Sequence, residues 1–255
     1  ERIYLGVSGD FDRKTMLEKI KSKFLSWPSL SQPLADIAAP QAPDRSSAYL
    51  LQKEVPQSTI IMGHLAPSKK DSDYFAFQVL DYILGSGGFT SHLMAEVRTK
   101  RGLAYSVGSF YRGAADYGVF GAYGMTRTDK TFYTLGVMLD IINALKNGSI
   151  TQEELSQAKE SLINSFIFSF TSSAQIVQQE MMREYEYLPS DFLRTTPDKI
   201  RAVTVDDLIR VASQNLHPSA MTLLIIGDDA GFDKPPEHLH LGPIQKLCSN
   251  ILTGQ

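Results

Sequence analysis

Two arginines and a tyrosine lie close together in EVRTKRGLAYSVGSFYRG, residues 96–113. Arg98 falls in the last turn of a predicted helix, where a cation interacts favourably with the helix dipole. Leu103, Tyr105 and Val107 alternate with smaller residues, so one interpretation makes Tyr105 a core aromatic. In the other, the helix end and the strand start direct Arg98 and Tyr105 into one cleft. A guanidinium and a phenol there could hold the carbonyls or a carboxylate of an extended peptide.

The histidines do not have the spacing of a catalytic zinc site. Such a site takes three protein ligands and one open position, and helical proteases supply two of them as histidines at i and i+4. No two histidines are four residues apart in the set His64, His92, His217, His238 and His240. Glu237-His-Leu-His240 lies in a proline-flanked tail, where adventitious binding or none is expected. We therefore predict no metal ligand in this chain.

Other catalytic patterns are also missing from the sequence. The glycines of Gly85-Ser-Gly-Gly88 follow a predicted helix rather than a strand, which disfavours a dinucleotide site and favours a tight corner between two helices. There is no Gly-x-Ser-x-Gly nucleophile elbow, and the single cysteine, Cys248, lies in the tail, where we expect an inert thiol. We assign no catalytic residue.

Composition indicates a globular protein and disfavours several classes of partner. The chain has 255 residues, of which 43% are hydrophobic and 21% charged, as in ordinary globular proteins. A net charge of −3 gives no reason to expect nucleic acid or an anionic membrane as a partner. Apolar runs such as Met221–Ile226 are too short to span a bilayer. No signal peptide is visible and Glu1 is taken as a cut end, so targeting cannot be read from this sequence.

The order of predicted elements indicates an α+β fold, a mostly antiparallel sheet packed against a layer of helices. A strand pair (Ala48–Val55 and Ser58–Leu65) precedes two helices joined by the glycines. Gly102 is expected to end the second helix in the C′ position. A β-hairpin follows, and then several helices, two of which begin at Thr151 and Thr204. Met221–Ile226 is predicted as the last buried strand.

The head and the end of the chain resemble each other. IYLGVSGDFD matches MTLLIIGDDAGFD as an apolar strand, Gly-Asp and then Phe-Asp. Ile3–Val7 is therefore predicted as a strand, followed by a helix that Asp12 caps and that runs to Phe24. We divide the chain into the end of a preceding homologous domain (1–27), a proline-rich linker (28–45), a complete domain (46–228) and a tail (229–255).

LGSGGFTSHLMAEVRTKRGLAYSV resembles a segment of the insulinase/pitrilysin family of zinc metallopeptidases, near its processing-peptidase-like members. VPQSTIIMGHLAP and MTLLIIGD agree, and the resemblance covers nearly the whole chain. In that family, paired homologous domains enclose a chamber. One domain carries zinc on His-x-x-Glu-His, and its partner lacks the motif but contributes an arginine and a tyrosine to substrate binding.

The resemblance implies that this chain is the partner type. Arg98 and Tyr105 match the substrate-binding positions, whereas Arg101 matches a commonly basic position without an assigned role. The expected function is the non-catalytic half of a zinc metalloendopeptidase, with zinc and catalysis supplied by a homologous domain or subunit. The chain alone is expected to be inactive.

Two alternatives remain open. One is a catalytically dead scaffold or peptide-binding subunit of the same fold. The other is an unrelated α+β peptide-binding module. The bacterial character of the motif favours the cell envelope or periplasm over the cytoplasm by association only.

Overall fold

A mixed sheet organises the protein. The computed structural model describes residues 3–27, 38–43, 46–233 and 244–247. Within them the strands are β1 Ser47–Gln52, β2 Gln57–Ala66, β3 Ala104–Gly113, β4 Gly118–Arg127, β5 Thr222–Gly227 and β6 Ile244–Leu247, in the order β3-β4-β2-β5-β1-β6. The pairs β3/β4, β4/β2 and β2/β5 are antiparallel, and β5/β1 and β1/β6 are parallel. The predicted α+β class with a mostly antiparallel sheet is confirmed.

In the described part of the chain, one helix precedes β1, and the others lie in the connections from β2 to β3 and from β4 to β5. The helices are α1 Arg13–Phe24, α2 Tyr74–Asp81, α3 Thr131–Lys146, α4 Gln152–Phe168, α5 Ser173–Tyr185, α6 Phe192–Ala202 and α7 Val205–Asn215. Three shorter segments lie between α2 and β3: a π-turn at Tyr82–Ser86, a 3-10 turn at Gly88–Thr90 and a π-helix at Met94–Lys100. The predicted N-caps Asp12, Thr151 and Thr204 are confirmed, the last two as capping boxes.

The core lies between one face of the sheet and the helices. Burial alternates along the central strands, as expected for a sheet covered on one side. Ile60, Phe120 and Ile225 point to the covered face and are almost completely buried together with Phe77 of α2 and Leu135 of α3. The site described below lies at the β3 edge of this layer.

Strand pairing differs from the sequence-based expectation in two respects. The predicted strand pair is wrong as a pairing: β1 and β2 follow each other along the chain, but β5 lies between them. In addition, Met221–Ile226 was expected to be the last strand, but a further strand, β6, follows it in the chain and pairs with β1. Apolar patterning identifies strands, but pairing is decided by contacts distant in sequence, which no local pattern records.

The segment Ile3–Val7 does not form the predicted strand. A strand needs a neighbour for its backbone hydrogen bonds, and no strand of the described residues pairs with this segment. Instead it packs on α5, where the rings of Tyr4 and Tyr185 are 5.7 Å apart. No helix in the described part of the chain is long and apolar enough to cross a membrane.

Candidate functional site

Arg98 lies in the π-helix Met94–Lys100, which Val97 anchors in the core. The helix ends at Gly102, whose φ of 61° lies in the left-handed region that favours glycine. The Gly102 N–H donates to the Arg98 carbonyl at 3.0 Å, so the glycine has the predicted C′ role. This turn takes the chain directly into β3 and places Arg98 beside the start of that strand.

Tyr105 is the extra residue of a β-bulge. Ala104 lies opposite Thr126 and Ser106 lies opposite Met125, which leaves Tyr105 without a partner on β4. Its side chain is 78% exposed, whereas Ala104 is buried. The interpretation of Tyr105 as a core aromatic is therefore wrong, because the bulge interrupts the alternation on which it rested.

The Arg98 guanidinium contacts two exposed aromatic rings. Its Cζ atom is 4.4 Å from the centroid of the Tyr105 ring and 4.9 Å from that of Phe89, which is 69% exposed. Both distances are within the range of cation–π interactions. The structure thus brings the two predicted site residues together and adds a third, Phe89, which sequence reasoning missed.

The neighbouring acid is engaged by other cations. Glu96 accepts from Lys100 and from Arg101, each at 2.5 Å, and Arg101 also donates to the Glu96 carbonyl at 3.1 Å. These side-chain hydrogen bonds lower the pKa of Glu96. Within the described ranges, no carboxylate pairs with Arg98 and its guanidinium donates no hydrogen bond. Arg101 therefore has a structural partner, whereas the donors of Arg98 remain available.

A buried carboxyl at the end of α2 forms a hydrogen bond with β3, the strand that carries Tyr105. Asp81, 5% exposed at the end of α2, accepts a hydrogen bond of 2.6 Å from the Ser109 hydroxyl of β3. Burial raises the pKa of Asp81 to about 6, against the lowering effect of hydrogen bonds from Ser109, Ser86 and the Tyr111 backbone. The turn after α2 and the strand carrying Tyr105 are thereby joined.

The glycine-rich turn packs directly on β3, as a tight corner requires. A Cβ atom at Gly85 would lie 2.3 Å from the backbone nitrogen of Ser109. Gly88 has φ of 68°, again in the left-handed region. The predicted corner between helices is confirmed, and the turn also displays Phe89.

The described histidines do not fit a zinc site. His64 bonds Leu65 O through Nδ1 at 2.8 Å and accepts the His217 N–H at Nε2 at 3.2 Å. Burial lowers the pKa of His64 to about 4. His92 lies 2.5 Å from a Glu154 carboxylate oxygen. Across the described residues no three potential ligands come together, while His238, His240 and Cys248 lie outside them.

A cleft of about 490 Å³ lies at the other end of the β3–β4 hairpin. It is lined by Phe110, Arg112, Gly113, Ala114, Tyr117 and Val119. Neither Arg98 nor Tyr105 contributes to it. The candidate site is a different part of the surface, where Tyr105 and Phe89 are 78% and 69% exposed.

Phe89 had no sequence signal that linked it to this site, whereas Glu96 had one that indicated an ion pair. Phe89 precedes Arg98 by nine positions, which corresponds to no repeat of a helix or strand. The turn between them creates the contact. Glu96 and Lys100 do have the i, i+4 spacing of a helical ion pair, and this spacing could have identified Glu96 as already engaged.

Comparison with known proteins gives consistent matches. The family model described as "Peptidase M16 inactive domain" matches residues 1–162. An uncharacterized zinc protease of Streptomyces coelicolor is 28% identical over 221 residues, 82% of this chain and 48% of that protein. A solved structure described as a peptidase M16 inactive domain, from Pseudomonas fluorescens, has a TM-score of 0.76 at 30% identity and covers 89% of this chain and 54% of that one.

More distant structures share the fold alone. A chain of complex III from Candida albicans has a TM-score of 0.65 at 16% identity and covers 86% of this chain and 53% of that one. The chain spans about half the length of the relatives it matches.

Proposed function

Because the chain belongs to the peptidase M16 inactive-domain family, we propose that it is the non-catalytic half of a zinc metalloendopeptidase and positions a peptide substrate for a zinc-bearing partner. The observation that carries the proposal is the Arg98 guanidinium, which contacts two exposed rings and pairs with no carboxylate of the described residues. Its planar fork of donors suits a peptide carbonyl or a carboxylate.

Tyr105 adds a second polar contact to the same surface. Its hydroxyl can donate or accept, and the exposed ring leaves it accessible to a ligand. Arg98 and Tyr105 together can orient an extended backbone. Holding a reacting group in place is a recognised contribution to catalysis by residues that do not take part in the chemical step.

The partner would supply the zinc. The described residues of this chain do not fit that metal, and the relatives named as zinc proteases are about twice as long as the matched region. Among the described residues, the sheet face turned away from the core carries the partly exposed apolar side chains of Ile61 and Met125, 38% and 40% exposed. This face is the proposed contact surface for the partner.

The test compares two arginines that are three residues apart. In the complete zinc-bearing enzyme, Arg98→Ala should lower kcat/KM roughly 10- to 100-fold, the loss expected for a charged hydrogen bond to substrate. Arg101→Ala is the matched control. It removes the exposed contact with Glu96 and an interaction with Tyr133, neither of which involves the Arg98 guanidinium, so kcat/KM should stay near the wild-type value. Both variants should keep the wild-type melting temperature.

The outcomes separate the proposed role from its alternatives. Wild-type kcat/KM in the Arg98→Ala enzyme would contradict substrate positioning and favour a scaffold subunit, because a shared fold does not establish a shared function. An equal loss in both variants would indicate a general electrostatic effect. A fall in melting temperature for Arg98→Ala alone would indicate a structural role.

A further inference from the structure

We propose that Phe89 is a positioning residue, which holds the Arg98 guanidinium against Tyr105 in the orientation that receives the substrate. This inference rests on the proposed function and adds a residue to it. The contact that supports it is the 4.9 Å between the Arg98 Cζ atom and the Phe89 ring centroid, on a guanidinium that also lies 4.4 Å from the Tyr105 ring.

Phe89 contributes little to the core. Its side chain is 69% exposed, so its removal leaves no large cavity, unlike removal of the buried Phe77. Single exposed apolar residues are common on protein surfaces and need no explanation by themselves. What distinguishes Phe89 is that its exposed ring lies against a cation that lacks a carboxylate partner in the described chain.

Hydrogen bonds hold the turn that carries Phe89. The buried Ser91 donates its hydroxyl to the Gly88 carbonyl at 2.7 Å, and its backbone N–H donates to the same carbonyl at 3.0 Å. The Thr90 hydroxyl bonds the Gly87 carbonyl at 3.2 Å. Phe89 is therefore presented on a 3-10 turn with fixed hydrogen bonds, so its ring can restrict a neighbouring side chain.

An arginine side chain has many rotamers, and fixing it for ligand binding costs conformational entropy. Contacts with two rings reduce that freedom before the ligand arrives. Since guanidinium N–H groups lie in the plane of the group, contact with ring faces leaves them directed outward. Without Phe89, the guanidinium would keep one ring contact instead of two and would have more conformational freedom.

The experiment is a double-mutant cycle on the complete zinc-bearing enzyme. Phe89→Ala should lower kcat/KM about two- to fivefold, in line with a surface cation–π contact. Phe89→Leu keeps apolar bulk without the ring and should fall to the same extent, while Phe89→Tyr should stay near wild type. In the Arg98→Ala background, Phe89→Ala should cause no further loss, because its effect acts through Arg98.

Failure of this inference can be distinguished from failure of the proposed function. If Arg98→Ala lowers kcat/KM but Phe89→Ala does not, the positioning role is overturned and the proposed function stands. Equal losses from Phe89→Ala in both backgrounds would mean that Phe89 acts independently of Arg98, which also overturns it. If Arg98→Ala itself has no effect, the proposed function fails and this inference fails with it.

Discussion

Arg98 and Arg101 lie three residues apart and differ in what surrounds their guanidinium groups. Arg101 donates to Glu96, and this hydrogen bond raises its pKa. Arg98 contacts two rings instead. Glu96 accepts from Lys100 and Arg101 through its two oxygens. It lies two positions before Arg98, and residues with that spacing do not face each other on a helix.

A single residue, Asp81, should make the free energy of unfolding depend on pH. Burial raises its pKa from 3.8 to about 6, so the folded state binds its proton more tightly than the unfolded state. The free energy of unfolding should then fall as pH rises from about 4 to 6, by up to roughly 3 kcal/mol from this group. Below about pH 4 both states are protonated, and the contribution is fully present.

Asp81→Asn isolates this contribution. The variant cannot titrate at that position, so its stability should lack this decrease. Urea unfolding of both proteins at pH 4 and pH 7.5 measures the effect as the change in their stability difference, which cancels other titrating groups. If the stability difference between wild type and Asp81→Asn is the same at pH 4 and pH 7.5, burial does not raise the pKa of Asp81.

At the scale of elements, the site depends on how closely the turn after α2 approaches β3. Gly85 is in contact with Ser109, and Asp81 bonds the same serine from one turn earlier. Tyr105 and Phe89 lie on the two elements joined in this way. Their separation therefore depends on a helix–strand contact that neither residue makes itself.

Gly85→Ala should separate these elements. The added methyl group would overlap the backbone of Ser109 and lower the free energy of unfolding by about 1–3 kcal/mol. Gly136→Ala is the matched control, because nothing lies within 4 Å of a Cβ at that position in α3. It should raise stability by roughly 0.5–1 kcal/mol through helix propensity. Equal urea midpoints for wild type and Gly85→Ala would contradict the close contact.

At the scale of the molecule, the two faces of the sheet differ in what they contact. Helices cover one face and form the core with it, while partly exposed apolar side chains remain on the other. Such a surface is compatible with association with a second domain. We expect a zinc-bearing partner to contact this face and to supply the zinc for substrate held at Arg98 and Tyr105.

The purified chain alone should therefore have no peptidase activity, even with zinc added. Zinc hydrolysis requires a fixed ligand set and an open coordination position. Hydrolysis of a mixed peptide library with and without zinc measures this, and mixing with a zinc-bearing partner half should produce cleavage that neither shows alone.

Replacement of His238 and His240 provides the control. Chelator-sensitive turnover by the isolated chain that persists in this variant would reveal an unrecognised catalytic site. Loss of turnover in the variant would assign activity to the tail.

Much of the local structure could be predicted from the sequence. Asp12, Thr151 and Thr204 start helices and Gly102 ends one, because caps depend on a few neighbouring residues. The α+β class followed from the order of elements. The resemblance of LGSGGFTSHLMAEVRTKRGLAYSV predicted the family and, as candidate substrate-binding residues, Arg98 and Tyr105.

Tertiary structure alone decided the rest. The insertion of β5 between β1 and β2, the bulge at Tyr105 and the contact of Phe89 with Arg98 all depend on which distant segments meet. Hydrophobic alternation assigns a side chain to a face only while the register is unbroken, so a single bulge residue was enough to place Tyr105 at the surface.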